Sequence, residues 1–214
     1  MIPRGLYAIV DTDSLTAAGR DPLAFAQRLL AAGPLAALQL RAKSLDARST
    51  LRLARALGPW CRAAGVPWVL NDRADLAWLA GADGVHVGQG DLSVEDIGRL
   101  VPGMRVGGSS HTPEQLAALL DTSAAYVAYG PVFPTRSKRD PDPAVGLDGL
   151  RAAAIEAARA ARPLVAIGGI TLENAPAIRA SGAWAGASIG ALLVPDGEVT
   201  AVARALHRAL GGDL

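Results

Sequence analysis

The sequence PLVAIGGI at residues 163–170 contains a short, continuously apolar run that ends in two glycines. A run of this kind is typical of a parallel strand that is buried on both faces, because polar and apolar residues do not alternate along it. Similar runs occur throughout the chain and predict eight strands in all. They are Leu6–Val10, Ala36–Leu40, Pro67–Leu70, Asp83–Val87, Met104–Gly107, Ala125–Ala128, Pro163–Ile167 and Trp184–Ile189.

Segments with helical start signals lie between these runs. Thr112-Pro113-Glu114-Gln115 combines a capping residue, a proline at the first helical position and a glutamine three residues after the cap. Asp46, Ser93 and Thr171 are further predicted caps. Residues 50–64 repeat Leu and Ala at three- and four-residue steps, which is typical of an amphipathic helix.

The strict alternation of strands and helices predicts the fold class. Eight strands and eight helices with short connections favour a single (β/α)8 TIM barrel that takes up residues 1–214 as one domain. An open, doubly wound sheet remains the alternative, since closure cannot be read from a sequence.

Composition excludes several classes of protein. Lys and Arg number 21 and Asp and Glu number 20, so the formal net charge is +1 and no polybasic patch offers a nucleic-acid site. The apolar runs are shorter than the roughly 18 residues of a membrane span, and no signal-peptide pattern opens the sequence. The single cysteine, Cys61, cannot form an internal disulfide. We expect a cytoplasmic protein that binds neither nucleic acid nor membrane, with homo-oligomer formation left open.

Polar residues collect where the predicted strands end, which is where a barrel carries its active site. Gln39, Arg41 and Lys43 alternate through the end of the second strand and therefore face the same side. Two neighbouring cations are costly to bury without an anion, so they predict a phosphate or diphosphate ligand. The alternative is an exposed strand end whose cations pair with nearby carboxylates.

Two carboxylates follow the next two strands. Asp72 comes after Asn71 at the end of the third strand, and Asp91 ends the stretch Gly88–Asp91 after the fourth. Magnesium prefers one or two carboxylates together with phosphate oxygens and water, so this pair predicts a Mg²⁺ site beside the basic strand end. Alternatively, Asp72 and Asp91 cap the helices that follow them.

The fifth strand leads into Ser109-Ser110-His111-Thr112. A hydroxyl and an imidazole at this place make His111 a candidate for proton transfer. No acidic partner that would complete a hydrolytic triad is evident in the sequence, so His111 is equally consistent with a structural hydrogen bond.

The last three strand ends offer further phosphate contacts. The loop after the sixth strand contains Thr135, Ser137 and Lys138, whose hydroxyls and cation suit phosphate oxygens, although an exposed surface loop has a similar composition. Gly168-Gly169 and Ile189-Gly190 follow strands seven and eight, where barrels often bind phosphate through backbone N–H groups. The site thus has two anion-binding halves, which predicts two phosphorylated small-molecule substrates.

The chain resembles the thiamine-phosphate synthase and thiazole tautomerase family over nearly its whole length. The resemblance rests on the Gln39, Arg41 and Lys43 pattern and on several longer motifs. These motifs are Tyr7–Asp11, Asn71–Ala77, Gly81–Asp91 and Tyr129–Thr135, the last followed by Ser137 and Lys138.

The resemblance implies a (β/α)8-barrel transferase that joins hydroxymethylpyrimidine diphosphate to hydroxyethylthiazole phosphate, giving thiamine phosphate and diphosphate. It implies Mg²⁺ on Asp72 and Asp91, and catalytic roles for Arg41, Ser109 and Lys138 at the departing diphosphate. Substrate-binding residues would be Gln39, Arg41, Lys43 and Asn71 around the pyrimidine diphosphate, and Thr135, Ser137, Gly168, Ile189 and Gly190 around the thiazole phosphate.

Two positions depart from the family pattern. Ser137 stands where the family commonly has Thr, and this change retains the hydroxyl. Gly190 stands where the family usually has Ser, so a side-chain contact is lost while the backbone N–H remains.

Two rival functions remain open. A thiazole tautomerase of the same family would need neither metal nor diphosphate and would use His111 for proton transfer. A non-catalytic barrel that only binds a phosphorylated ligand would not need the carboxylate pair. The presence of Arg41, Lys43, Asp72, Asp91 and Lys138 favours the synthase.

Overall fold

The computed structural model describes residues 2–135 and 142–213. Eight parallel strands pair in chain order and close into a barrel, with β1 hydrogen-bonded to β8. The TIM barrel prediction is therefore confirmed and the open sheet is wrong. The strands are β1 Gly5–Asp11, β2 Ala37–Arg41, β3 Trp68–Asn71, β4 Gly84–Val87, β5 Arg105–Ser110, β6 Tyr126–Tyr129, β7 Leu164–Ile167 and β8 Ala185–Ser188.

Helices surround the barrel. They are α1 Thr12–Ala17, α2 Pro22–Leu30, α3 Ala47–Ala63, α4 Ala74–Ala80, α5 Val94–Leu100, α6 Pro113–Leu120, α7 Gly146–Arg159, α8 Ala175–Ala180 and α9 Val199–Ala209, with a short 3-10 turn at Gly190–Leu192. The described part of the chain thus has nine α-helices, and the prediction of eight is wrong. Two helices follow β1 because Asp11 caps α1 and Asp21 caps α2, where Pro22 fixes a new first turn.

Side-chain caps start several of these helices. The side chains of Asp46, Ser93 and Thr112 each accept a hydrogen bond from the backbone N–H three residues later, as predicted. The predicted cap at Thr171 is wrong, because α8 begins only at Ala175, after Asn174. A loop turn occupies the intervening residues: the N–H of Thr171 donates to Oδ1 of Asn174 at 2.8 Å.

Apolar side chains fill two layers. One lies between the strands and the helices, and the other fills the barrel interior with residues such as Ile9, Val69 and Val165. The ring of Tyr126 crosses this interior over Gly107, where any Cβ atom would collide with the ring. None of the described helices is long and apolar enough to cross a membrane.

Candidate active site

A cavity of about 320 Å³ opens at the carboxyl end of the barrel. Its walls bring together most of the residues that the sequence singled out at strand ends. They are Gln39, Arg41, Asn71, Ser109, His111, Thr135, Gly168, Ile189 and Gly190. This lining does not include Lys43, Asp72 or Asp91. Asp72 directly follows the lining residue Asn71, and Lys43 and Asp91 are neighbours of Asp72. Ser137 and Lys138 lie outside the described residues.

Arg41, the last residue of β2, and Lys43, two residues further on, both form ion pairs. Arg41 pairs through Nη1 with Oδ2 of Asp11, and Nζ of Lys43 lies 2.6 Å from Oδ2 of Asp72. The alternative interpretation is correct in part: the carboxylate partners are present and Lys43 is exposed, whereas β2 is buried up to Leu40 and Arg41 lines the cavity. The cations therefore remain beside the cavity with partly neutralised charge.

Asp11 is a site residue that the sequence analysis missed. Its side chain is 2% exposed, and Oδ1 also accepts from the N–H of Ser14 at 2.9 Å. Its position at the last residue of β1, in register with Arg41 on β2, was the signal that could have identified it. Asp11 holds the Arg41 guanidinium in place at the cavity wall.

Asp72 and Asp91 lie close enough to influence each other. Burial, and then the neighbouring charge of Asp91, raise the pKa of Asp72, while Lys43 opposes this shift. The alternative role of these residues as helix caps is wrong: α4 has no side-chain cap, and Ser93 caps α5. Oδ2 of Asp91 instead accepts from the N–H of Gly88 at 2.8 Å.

The carboxylate pair fits a hard divalent cation. Within residues 2–135 and 142–213, no group of three or more His, Cys, Asp or Glu side chains could hold a metal ion. A site made of two carboxylates leaves coordination positions for phosphate oxygens and water, which is the arrangement that Mg²⁺ prefers. Burial is the main cause of the raised pKa of Asp72, so its negative charge is poorly solvated even beside Lys43.

Ser109 and His111, at the end of β5 and just beyond it, have separate partners. Oγ of Ser109 lies 2.8 Å from Nε2 of His86, whereas Nδ1 of His111 lies 2.5 Å from the carbonyl oxygen of Gly130. Nδ1 of His111 is also 3.6 Å from Oδ2 of Asp142, an acidic partner that the sequence did not reveal. The bond to a carbonyl requires a proton on Nδ1, so a neutral His111 presents an unprotonated Nε2. His111 and Ser109 are not arranged as a nucleophile and its base.

Three buried polar residues of the barrel interior were also missed. Tyr7, His86 and Tyr126 line the cavity, and the hydroxyls of the two tyrosines lie 2.7 Å apart. Burial raises the pKa of both tyrosines, so both are neutral phenols over the physiological range. The inward-facing alternation of the strands could have indicated them, since polar residues on that face are uncommon in a barrel core.

The glycines after β7 have a packing role. Gly168 and Gly169 adopt φ angles of 98° and 63°. A Cβ on Gly168 would collide with Pro131, and one on Gly169 would lie 2.7 Å from Cβ of Phe133. The double glycine therefore lets the loop after β6 pack against the loop after β7. At the end of the neighbouring strand β8, Ile189 precedes the 3-10 turn that begins at Gly190, whose first N–H groups have no partner within the turn.

Comparison with known proteins identifies the family of the chain. The family model described as thiamine monophosphate synthase matches residues 6–192. Thiamine-phosphate synthase from Koribacter versatilis is 47% identical over 202 residues, which cover 90% of each chain. Thiamine-phosphate synthase from Thermus thermophilus is 44% identical over 182 residues, which cover 85% of each chain.

A solved structure gives the same result. Thiamine phosphate pyrophosphorylase from Pyrococcus furiosus superposes with a TM-score of 0.84 at 27% sequence identity, covering 96% of this chain and 95% of the other. The family match extends over most of the chain and reaches all eight strands of the barrel, beginning at Leu6 in β1. This chain therefore belongs to the thiamine monophosphate synthase family of enzymes.

Proposed function

We propose that the chain acts as one catalytic domain that joins hydroxymethylpyrimidine diphosphate to hydroxyethylthiazole phosphate, releasing thiamine phosphate and diphosphate. One observation carries the proposal: a single cavity has one wall with Arg41 at the end of β2, next to the Lys43–Asp72 ion pair, and a backbone-lined wall at β7 and β8. We call the first of these the charged wall. Two different anionic substrates can therefore occupy opposite walls with their reacting ends facing each other.

The charged wall is the proposed diphosphate half. Arg41 and Lys43 supply cationic hydrogen-bond donors for phosphate oxygens. Gln39 and Asn71, joined by a hydrogen bond of 2.7 Å, contact the pyrimidine diphosphate from the same wall. Ser109 reaches the leaving group from β5, and Lys138, which lies outside the described residues, is proposed as a second cation there.

The glycine wall is the proposed thiazole phosphate half. Backbone N–H groups near Gly168, Ile189 and Gly190 would donate to the phosphate, which binds well at turns that expose several amides. Thr135 lines the cavity between the two walls, and Ser137 follows it in the same loop beyond the described range. Because Gly190 has no side chain, the phosphate contact at this position comes from the backbone alone.

Asp72 and Asp91 would hold Mg²⁺. When bound, the ion stabilises negative charge on the leaving diphosphate. The protein's own contribution is to keep both carboxylates and Lys43 at the end of the wall that contains Arg41, so that the polyanion is neutralised from several directions.

The chemistry proposed is a dissociative substitution. As the bond to diphosphate breaks, negative charge grows on the leaving group, and the cations Arg41 and Lys43, together with the hydroxyl of Ser109, stabilise it. The pyrimidine methylene cation that remains is attacked by the thiazole nitrogen, whose approach is fixed by the phosphate on the opposite wall. No covalent enzyme nucleophile is required, which agrees with the separate partners of Ser109 and His111.

A product assay tests the proposal. Purified protein with both substrates and Mg²⁺ should form thiamine phosphate and diphosphate in equal amounts, and omission of either substrate should abolish both. A tautomerase would instead aromatise the thiazole phosphate precursor without metal or diphosphate. Turnover that chelation of the metal leaves unaffected contradicts the synthase.

A second assay separates the synthase from a pure binding protein. The variant Asp91→Ala should lose product formation while the thiazole phosphate still binds, since its proposed half of the cavity is at β7 and β8. If the wild-type protein binds this phosphate but forms no product under any metal condition, the chain is a binding barrel and the proposal is wrong.

A further inference from the structure

Five hydrogen bonds form a continuous chain along the inner wall of the cavity. It runs from Asn71 through Gln39, Tyr7, Tyr126 and His86 to Ser109. The donor–acceptor distances are 2.7, 2.8, 2.7, 3.0 and 2.8 Å in that order. Each of the strands β1 to β6 contributes one residue to the chain. The two ends are the residues assigned above to the diphosphate half.

The single proton on each phenol ties the five bonds to one common direction, and the orientation of the Gln39 amide sets which direction that is. Burial raises the pKa of Tyr7 and Tyr126, so each is a phenol with a single proton to donate. Tyr7 donates to Oε1 of Gln39 and therefore accepts from Tyr126. Tyr126 then needs a donor at Nδ1 of His86, and in the neutral form of that ring Nε2 accepts from Ser109. We call this direction the resting polarity.

The opposite direction fits the same heavy-atom positions. The oxygen and nitrogen of an amide are nearly the same size, so the side chains of Asn71 and Gln39 can turn over without moving their neighbours. Asn71 then donates to Gln39, every later bond reverses, and Nε2 of His86 donates to Ser109. While His86 is neutral, a chain in which only some of the five bonds had reversed would contain two donors or two acceptors facing each other. We call this direction the reversed polarity.

The two polarities present different groups to a ligand. In the resting polarity the hydroxyl hydrogen of Ser109 is held by His86, so Ser109 offers only lone pairs, and Asn71 offers its NH₂ group. In the reversed polarity Ser109 directs its hydrogen into the cavity, and Asn71 offers its carbonyl oxygen. Phosphate oxygens are acceptors, so an anion beside Ser109 stabilises the reversed polarity.

We propose that Tyr7, Gln39, Tyr126 and His86 are positioning residues that couple Ser109 to Asn71 by reversing this chain when diphosphate binds. The inference rests on the proposed function, because it takes diphosphate as the anion beside Ser109. The coupling has a chemical consequence: the anion at one end makes Asn71 present its carbonyl oxygen to the ligand at the other end, where it stabilises a cation or an amino group of the substrate. Binding of the anion beside Ser109 thus sets the orientation of Asn71 for the rest of the substrate.

The tautomer of His86 reports the polarity directly. In ¹⁵N-histidine-labelled protein, NMR should show the proton of His86 on Nδ1 in the ligand-free enzyme and on Nε2 after addition of Mg²⁺ and inorganic diphosphate. The same tautomer in both states, or a ring protonated on both nitrogens, overturns the inference. If the protein still forms thiamine phosphate in that case, the proposed function stands without the coupling. If no product forms at all, the proposed function fails and the inference fails with it.

A matched pair of variants tests the coupling. Tyr126→Phe removes the central hydroxyl and retains the ring, whereas Tyr129→Phe makes the same change on β6 in the layer that faces the helices. We expect Tyr126→Phe to abolish the tautomer change and lower kcat about tenfold, as for the loss of one hydrogen bond, with KM for the thiazole phosphate unchanged. Tyr129→Phe should retain the tautomer change and kcat. Equal behaviour of the two variants overturns the inference.

Discussion

Nζ of Lys43 lies 2.6 Å from Oδ2 of Asp72, and this ion pair joins the cationic end of β2 to the carboxylates that follow β3 and β4. The Lys43 side chain is 47% exposed, while that of Asp72 is 19% exposed. Burial and Asp91 raise the pKa of Asp72 in spite of this pair. Burial is the main cause of this shift, so the Asp72 carboxylate is stabilised less well in the folded protein than in water, which is the electrostatic basis of the proposed cation site.

Replacing Lys43 with Gln removes the charge and retains a polar side chain. We expect kcat/KM for the pyrimidine diphosphate to fall about 100-fold, since a hydrogen bond to a charged group contributes roughly 1.5–3 kcal/mol. The thermal midpoint should change little, because ion pairs this exposed contribute little to stability. Arg99→Gln, at a side chain that is 78% exposed, is the control and should leave both quantities unchanged. Equal losses in the two variants would contradict the assignment.

Asp72→Asn should raise the stability of the protein while it lowers the activity. Because the pKa of Asp72 is raised in the folded protein, the folded state disfavours its charged form, and stability falls as pH rises through the ordinary pKa to the raised one. At pH 7 we therefore expect the variant to have a higher free energy of unfolding than the wild type. Activity should drop by about 100-fold or more as one metal-binding carboxylate is lost. Denaturant unfolding and the product assay measure the two effects, and a destabilised variant would contradict the electrostatic argument.

Gly168→Ala tests the contact between the loops after β6 and β7. The φ angle of 98° and the collision of a Cβ with Pro131 should destabilise the protein by about 1–3 kcal/mol and raise KM for the thiazole phosphate. Gly98→Ala is the matched control. It lies in α5 with nothing within 4 Å of the added Cβ, so it should be neutral or stabilising. A neutral Gly168→Ala would show that the loops are not packed as described.

The free energy of unfolding should depend on pH through His207, which accepts a hydrogen bond from β1. Nδ1 of His207 accepts from the N–H of Leu6 at 3.2 Å, and burial lowers the pKa of this histidine. A histidine with a lowered pKa is protonated first in the unfolded state, so stability is lost as pH falls below about 6.5 and on through the folded pKa. Denaturant unfolding at pH 7.5 and 5.5 should show this loss, and His207→Asn should reduce it. An equal pH dependence in both proteins would exclude His207 as the cause.

Most of the fold was predictable because parallel strands buried on both faces give continuous apolar runs. The errors arose where local chemistry overrides this pattern. Asp21 and Pro22 start a second helix after β1, and Asn174 displaces Thr171 as the residue that precedes α8. Strand ends shifted by up to three residues, as at β5, where pairing with β6 extends to Ser110.

The site was predictable in part, for a similar reason. Residues just beyond strand ends meet at one edge of a barrel whatever their distance along the chain, so Arg41 and Asn71 could be grouped in advance. Asp11 was missed since its pairing with Arg41 depends on strand register. The contact of Ser109 with His86, and that of His111 with Asp142, depend on side-chain direction and loop conformation, which neither composition nor spacing specifies.

The central claim is that Asp72 and Asp91, through a divalent ion, and Arg41 with Lys43 hold one diphosphate. A crystal structure with Mn²⁺ in place of Mg²⁺ and inorganic diphosphate tests it most directly, since the anomalous signal locates the metal. We predict a metal peak coordinated by both carboxylates, with the diphosphate between the metal and the two cations. A diphosphate bound elsewhere, or a metal that contacts neither carboxylate, would contradict the account.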